Sequence, residues 1–287
     1  MGVIQGVTEL FPVSSLGHGV IIPGLLGWHN LVGSQSSSDS FFLAFLVGLH
    51  VGTATALIIF YWRTWVSLFA GLGRQLRATR HGGVGVLWRV NDPSADPQYR
   101  LLFLLAIATV PVGIVGLLFE HKLRVLFVKP QYAAAFLILN GLILVGGELL
   151  RRRSPQHVRA VTTANLSVSR AVGVGSSQIA ALFAGISRSG VTMVSGLASG
   201  MDHEESANFA FLLATPVILL AGLLKLPDLI GPLGNGVRGQ TIAGSVAAGI
   251  AAYLSVRFLT RWFNTRTLWP FAIYSLAFGI ACSIYFA

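Results

Sequence analysis

Long apolar stretches limit what this chain can fold into more than any other feature of its sequence. About six of them approach the roughly 20 residues that an α-helix needs to cross a bilayer, and only 10% of all residues are charged. Soluble domains carry about 25% charged residues, so this chain cannot cover a water-exposed surface. We therefore predict an all-α, polytopic membrane protein. The predicted spans are Phe41–Trp62, Leu101–Phe119, Tyr132–Leu150, Ala207–Leu226, Thr241–Val256 and Pro270–Phe286.

Basic residues are distributed unevenly over the loops between these spans. The loops at 63–100 and 151–170, and the loop after Val256, are rich in arginine. With the six spans assigned as above, all three lie on one side of the membrane. Because basic residues concentrate in cytoplasmic loops, we place that side in the cytoplasm. The net charge of +10 then faces anionic lipid, and no nucleic-acid partner is predicted. The polar insert Gln75–Asp96 belongs to the first of these loops.

Two further apolar stretches are too interrupted to be simple spans. Residues 2–28 contain Pro12, and residues 172–200 contain the glycine-bounded stretch Gly185–Gly190. Since proline and glycine interrupt helices, we predict that each stretch is a broken helical segment that enters the membrane and returns.

The two broken segments align with each other at a constant spacing. Gln5 corresponds to Gln178 and Ser14 to Ser187, and a further match joins FLAFLV at 42–47 to NFAFLL at 208–213. We infer an internal duplication within a single membrane domain, 1–287. Repeat 1 covers about 1–150, a cytoplasmic linker about 151–170 and repeat 2 about 171–287. Each half holds one broken segment and three spans, an odd number, so the second half is predicted to be inverted relative to the first.

The first broken segment concentrates groups that can do chemistry. Gln5 and Glu9 are four residues apart and share one face of a helix. After the proline, Ser14 and Ser15 stand where a new helix can begin, with hydroxyl and free N–H groups. His18 adds an imidazole that can transfer a proton near neutral pH.

The second broken segment supplies donors for an anion. Arg188 is a guanidinium at membrane depth, flanked by Ser187 and Ser189 and followed by Thr192. An intramembrane Arg is costly and by default indicates function together with a partner, and its two N–H groups suit a phosphate. Two helix starts, hydroxyl groups and one Arg predict a phosphate-sized anion site. A purely structural ion pair between Glu9 and Arg188 is the alternative.

Other polar residues have simpler explanations. His50 lies in a plain span and is predicted to serve packing. Asp202 with Glu205 fits a helix N-cap, and Glu148 is predicted as an interfacial charge.

The stretches GVIQGVTELFPVSSLGH and AGISRSGVT resemble the two signature motifs of the undecaprenyl-diphosphate phosphatases of the bacitracin-resistance type. The resemblance covers nearly the whole chain and includes FLLATP at 211–216 and PFAIY at 270–274. It implies a bacterial inner-membrane enzyme with an outward-facing site, which removes the terminal phosphate of undecaprenyl diphosphate, returns the carrier lipid to peptidoglycan synthesis and weakens bacitracin. It also implies an inverted-repeat fold and a divalent cation, Mg²⁺ or Ca²⁺. Contacts with membrane lipids are expected, and a homodimer stays open.

The resemblance assigns roles to the residues at matching positions. The implied catalytic residues are Glu9, Ser15, His18 and Arg188. The implied substrate-binding residues are Ser14, Ser187, Ser189 and Thr192, and the implied metal ligands are Gln5 and Glu9. The nucleophile is Ser15 activated by His18, His18 itself or a water. Gln5 stands where the family often has a carboxylate, which binds a hard cation more strongly than an amide does, and Ala184 stands where the family usually has a proline.

A transporter is the competing functional hypothesis. Inverted repeats with broken helices are a transporter architecture, and the same pocket could move a polyprenyl phosphate across the bilayer, with Glu9 and His18 as proton-coupling groups. A less active paralogue is a further alternative, because of Gln5. A structural scaffold would not need Arg188 at membrane depth.

Overall fold

The computed structural model describes residues 1–28, 41–88, 90, 95–127, 129–153, 161–231 and 238–287. Over these residues the chain forms eleven α-helices and two short 3₁₀-helices, Val84–Trp88 and Gln178–Leu182, with no strand. The α-helices are α1 Gly2–Leu10, α2 Ser15–Leu25, α3 Phe41–Phe60, α4 Trp62–Gly82, α5 Pro97–Phe127, α6 Pro130–Arg153, α7 Val168–Ser177, α8 Arg188–Ala198, α9 His203–Ile230, α10 Arg238–Trp262 and α11 Trp269–Tyr285. The all-α prediction is confirmed.

The described parts of the predicted spans are helical except at Tyr61 and Phe286, which are turn residues. In α5, α6, α9 and α10, four stretches are long and apolar enough to cross a membrane, namely Pro97–Phe119, Pro130–Arg152, His203–Leu223 and Arg238–Trp262. The span predicted to end at Trp62 instead bends by 75° between α3 and α4, and the two together pass the same test. The last predicted span is the shorter apolar helix α11. The protein is thus a multi-pass membrane protein.

Two polar regions differ from their predictions. The insert that begins at Gln75 is helical at first, because α4 continues to Gly82. Glu148, predicted as an interfacial charge, is buried instead. Its Oε1 accepts a hydrogen bond from the Leu268 N–H at 2.5 Å and lies 2.8 Å from His203 Nε2, so it ties the start of α11 to α9. Residues 154–160 of the predicted linker lie outside the described residues.

Both broken segments are interrupted where the sequence predicts. The first breaks between α1 and α2, where Ser14 has φ 69° and caps α2 by accepting from the Gly17 N–H at 3.2 Å. The second breaks before α8, which Ser187 caps in the same way. Gly185 has φ 113°, a conformation open to glycine and strained for other residues. The second break therefore depends on Gly185 in a chain whose preceding residue is Ala184.

The halves pack in reciprocal pairs. Helix α1 lies on α10 and α7 lies on α5, while α3 packs against α9 and α6 against α11. A Cβ on Gly2 would collide with the Gly244 carbonyl of α10, and one on Gly175 would collide with the Ala108 carbonyl of α5. These contacts accord with a duplication that relates α1 to α7 and α5 to α10. The repeat boundaries themselves stay a prediction.

Candidate functional site

The two breaks in the helices meet each other in the interior of the protein. A Cβ on Gly17 would lie 2.9 Å from Gly185 Cα, so only glycine allows this approach. The Gly185 N–H donates to Ser14 Oγ at 3.2 Å, and that same oxygen accepts from Gly17. Ser14, predicted to bind substrate, thus joins the two breaks through its oxygen, while its hydroxyl hydrogen can still be donated.

Asn140 of α6 holds both breaks at once. Its Nδ2 donates to the Pro12 carbonyl at 2.9 Å, and its Oδ1 accepts from the Ser187 N–H at 2.9 Å. A third hydrogen bond joins Nδ2 to Ser275 Oγ at 3.2 Å. The side chain is fully buried. Asn140 is absent from the site residues predicted from the sequence, although a lone polar side chain in an apolar helix is a signal of function.

Glu9 is the centre of the polar cluster. Its carboxylate forms an ion pair with Arg188, and the side chains are only 2% and 19% exposed. The other carboxylate oxygen accepts from Gln5 Nε2 at 2.8 Å and from Ser15 Oγ at 2.5 Å. The sequence prediction that Glu9, Gln5, Ser15 and Arg188 come together is thus matched by the geometry. The pair joins the first broken segment to the second.

His50 lies in this cluster rather than in plain packing. Its Nε2 is 3.5 Å from Glu9 Oε2 and 3.3 Å from Gln5 Nε2. Its Nδ1 is 2.8 Å from the Leu46 carbonyl, which can only accept, so Nδ1 carries the hydrogen. In the neutral ring, Nε2 then accepts from the Gln5 amide. The sequence predicts packing for His50, although a titratable group in an apolar span could have indicated more.

His18 turns away from Glu9. Its Nδ1 donates to the Ser14 carbonyl at 2.7 Å, and its Nε2 lies 2.7 Å from the Tyr274 hydroxyl, which then donates to it. The ring stacks on Tyr274 and Phe278, with centroids 5.8 Å and 5.3 Å apart. Ser15 gives its hydrogen bond to Glu9 instead, so the predicted activation of Ser15 by His18 has no support in these contacts. Tyr274 is the second residue that the sequence analysis missed, although it ends the PFAIY stretch.

The hydroxyl groups of the second segment surround the first turn of α8. Ser187 Oγ and Ser189 Oγ are 3.0 Å apart, and Ser189 Oγ also donates to the Phe11 carbonyl at 3.4 Å. Thr192, predicted to bind substrate, donates instead to the Arg188 carbonyl one turn back, at 2.8 Å. The start of α8 and the two serines are thus placed near one another, as an anion site at a helix N-terminus would require, while Thr192 bonds to the backbone that carries Arg188.

The predicted metal ligands fit a divalent cation only in part. Glu9 Oε2 and Ser15 Oγ lie 2.5 Å apart, and Gln5 would add its Oε1 if its terminal amide turned over, since the two amide orientations are equivalent in shape. Among the described residues, no three or more His, Cys, Asp and Glu side chains are grouped so that they could hold a metal ion. Mg²⁺ typically takes one or two carboxylates together with substrate phosphates. The donor set therefore suits a cation that is completed by diphosphate oxygens.

Comparison with known proteins identifies the family of this chain. The family model described as "Bacitracin resistance protein BacA" matches residues 1–281. The undecaprenyl-diphosphatase of Mycolicibacterium paratuberculosis is 48% identical, over 100% of this chain and 95% of its own length. The undecaprenyl-diphosphatase 2 of Frankia alni is 46% identical, over 100% and 96%, and the undecaprenyl-diphosphatase of Granulibacter bethesdensis is 44% identical, over 98% and 92%. By this match and these identities, the chain belongs to the BacA family of bacitracin resistance proteins.

Proposed function

We propose that this protein hydrolyses undecaprenyl diphosphate to undecaprenyl phosphate and inorganic phosphate. The observation that carries the proposal is the buried Glu9–Arg188 ion pair at the meeting point of two helix starts. The names of the related proteins support the same reaction, and nothing favours the transporter alternative. In a bacterial plasma membrane, this reaction would return the carrier lipid to peptidoglycan synthesis and confer bacitracin resistance.

Substrate binding follows from the charges at the breaks. The terminal phosphate lies against the guanidinium of Arg188, the hydroxyl groups of Ser187 and Ser189, and the start of α8. Fixed donors of this kind stabilise the charge of a phosphoryl-transfer transition state without reorganisation. The polyprenyl tail extends between the spans into lipid, as expected for a site inside a membrane protein.

Ser15 is the favoured nucleophile because Glu9 is its hydrogen-bond acceptor at 2.5 Å. In the first step Ser15 Oγ attacks the terminal phosphorus while Glu9 takes its proton. The anhydride P–O bond breaks, and Glu9 passes the proton to the departing lipid phosphate. In the second step a water attacks the phosphoserine and Glu9 takes the water's proton. Ser15 leaves and recovers that proton, which releases inorganic phosphate.

His18 and a divalent cation have supporting parts in this proposal. His18, fixed by Ser14 and Tyr274, holds the start of α2 and so the position of Ser15. Glu9 and Gln5 would hold Mg²⁺ or Ca²⁺ together with diphosphate oxygens. Such a cation, when bound, neutralises charge on the diphosphate.

Phosphate release from undecaprenyl diphosphate by the purified protein in detergent tests the function. We expect release that depends on Mg²⁺ or Ca²⁺ and falls by about 10²–10³ in kcat in Arg188→Ala, the typical cost of removing one preorganised donor. Arg170→Ala, which removes an exposed arginine outside the site, is the matched control. Lipid phosphate that stays bound without release would instead indicate a carrier or transporter.

Covalent trapping tests the nucleophile. Rapid acid quench of the protein with substrate labelled at the terminal phosphate should leave label on Ser15, and Ser15→Ala should remove it. Turnover by Ser15→Ala at the wild-type rate would show that a water attacks directly.

We also propose that the site opens to the outer face of the plasma membrane, as the arginine distribution predicts. Trp28 is exposed at the end of the first broken segment, and Ala164 is exposed before α7. A membrane-impermeant maleimide should label Trp28→Cys in intact cells and Ala164→Cys only after permeabilisation. The reverse pattern would place the site on the cytoplasmic side. Native mass spectrometry would show whether the protein forms the homodimer that the sequence analysis leaves open.

A further inference from the structure

A basic groove lies at the end of α10, outside the cluster around Glu9. Three arginine side chains, Arg257, Arg261 and Arg266, line a single cavity of about 460 Å³. Phe258, Trp262 and Thr265 complete its polar and aromatic walls. Phe258 stacks on Phe11, the residue after α1, with ring centroids 5.9 Å apart. This ring pair lies between the groove and the segment that carries Glu9.

The groove is formed by local structure that fixes all three arginines on one side. Arg257 and Arg261 are four residues apart and share a face of α10. The chain then turns back, with the Arg266 N–H donating to the Trp262 carbonyl at 2.9 Å. The indole Nε1 of Trp262 donates to the Thr267 carbonyl at 3.2 Å, and the Arg266 guanidinium lies 5.8 Å from the centre of the indole ring. The third charge is therefore held against the same face as the first two.

These charges lack a counter-ion in the described part of the chain. Ion pairs there join Arg188 to Glu9 and Arg74 to Asp96, while none joins an arginine of the groove to an acidic side chain. Three like charges around one cavity repel one another, and an anion in the cavity would relieve that repulsion. Guanidinium groups suit phosphate because they can donate two parallel hydrogen bonds to it.

The depth of the groove indicates a lipid. The apolar stretch Arg238–Trp262 ends at the groove, and a Trp at such an end is typical of the membrane interface. Phe258 and Leu254, on the membrane side of the arginines, are exposed apolar side chains that can contact acyl chains. We propose that Arg257, Arg261 and Arg266 bind the phosphate headgroup of an anionic membrane phospholipid, with its acyl chains along Phe258 and Leu254.

Native mass spectrometry of the purified protein tests this site. The protein in detergent is titrated with phosphatidylglycerol or with phosphatidylcholine, and the retained lipid is counted. A basic residue near the surface contributes roughly a fivefold gain in anionic lipid binding. We therefore expect each of Arg257→Gln, Arg261→Gln and Arg266→Gln to weaken phosphatidylglycerol retention about fivefold, and the triple variant to lose the preference over phosphatidylcholine.

Arg63→Gln is the matched control, because Arg63 is also an exposed arginine 5.4 Å from a Trp ring but lies outside the groove. An equal loss in Arg63→Gln, or an unchanged preference in the triple variant, would overturn the proposal. Displacement of the lipid by millimolar inorganic phosphate would also overturn it, since the groove would then be a site for a free anion. If the triple variant fails to fold, the single variants decide.

Discussion

Replacement of Asn140 by leucine tests whether this side chain holds the two helix breaks next to each other. Leucine has a similar volume but can neither donate to the Pro12 carbonyl nor accept from the Ser187 N–H, which are both 2.9 Å from the amide. A buried polar group without a partner costs about 1–3 kcal/mol. The Pro12 carbonyl and the Ser187 N–H would both lose their partner, so the free energy of unfolding should fall by about 2–6 kcal/mol.

The same substitution should slow the reaction, because Asn140 positions both breaks without touching substrate. Misplacement by about 1 Å can cost about 10²-fold in rate, so we expect a lower kcat with little change in KM. Thermal unfolding in detergent and phosphate release give the two readouts. Ser275→Ala is the matched control, since it removes only the third hydrogen bond of Asn140, at 3.2 Å. Wild-type stability and rate in Asn140→Leu would show that other contacts fix the breaks.

Three further predictions concern the polar cluster and the polar insert. In His50→Gln the amide oxygen can replace Nε2 as the acceptor for Gln5, so kcat/KM should stay within about threefold of the wild type. The shorter side chain of His50→Asn reaches only the Nδ1 position, so kcat/KM should fall about tenfold. Equal losses in the two variants would contradict this role of His50. Gln5→Glu places a second carboxylate beside Glu9, in the position from which Gln5 Nε2 donates to Glu9 at 2.8 Å. Two carboxylates bind a hard cation more strongly than one, so half-maximal activity should need a lower Mg²⁺ concentration. An unchanged metal titration would argue against a cation there. The hydrogen bond from Arg74 holds the pKa of Asp96 below its ordinary value. The pair therefore stabilises the fold fully at a pH above the ordinary pKa of an aspartate, and this stabilisation is lost as the pH falls through the lowered pKa. Because the Arg74 side chain is about half exposed to solvent, the thermal midpoints of the wild type and Arg74→Gln should differ only slightly near neutral pH and should converge in acid. A constant difference would contradict the assignment.

The breaks were predictable because their causes are local. Pro12 and Gly185 interrupt helices by their own backbone preferences, and Ser14 and Ser187 cap the helices that follow. The meeting of Glu9 with Arg188 could also be inferred, since a buried charge in an apolar segment requires a partner of opposite sign.

The remaining contacts depend on which helix faces pack together, and local patterns do not contain that information. His50, Asn140 and Tyr274 lie in ordinary apolar helices, where spacing along the chain indicates no partner. The alternative in which His18 activates Ser15 rested on their closeness in sequence, yet the fold brings Tyr274 of α11 to His18 Nε2. Glu148 likewise acquired its role from Leu268 and His203, which are distant along the chain.

The amide at position 5 has a physical explanation in the contacts of Glu9. Arg188 already balances the charge of this carboxylate. The second oxygen of Glu9 lies 2.8 Å and His50 Nε2 lies 3.3 Å from Gln5 Nε2, and the amide group can offer one hydrogen to each of them. A glutamate in its place would bring two carboxylates together and would need a proton, a protonated His50 or a bound cation to offset their repulsion. Gln5 and Arg188 thus satisfy both oxygens of Glu9 and balance its charge without a second carboxylate, so the proposed cation would serve the charge of the diphosphate itself.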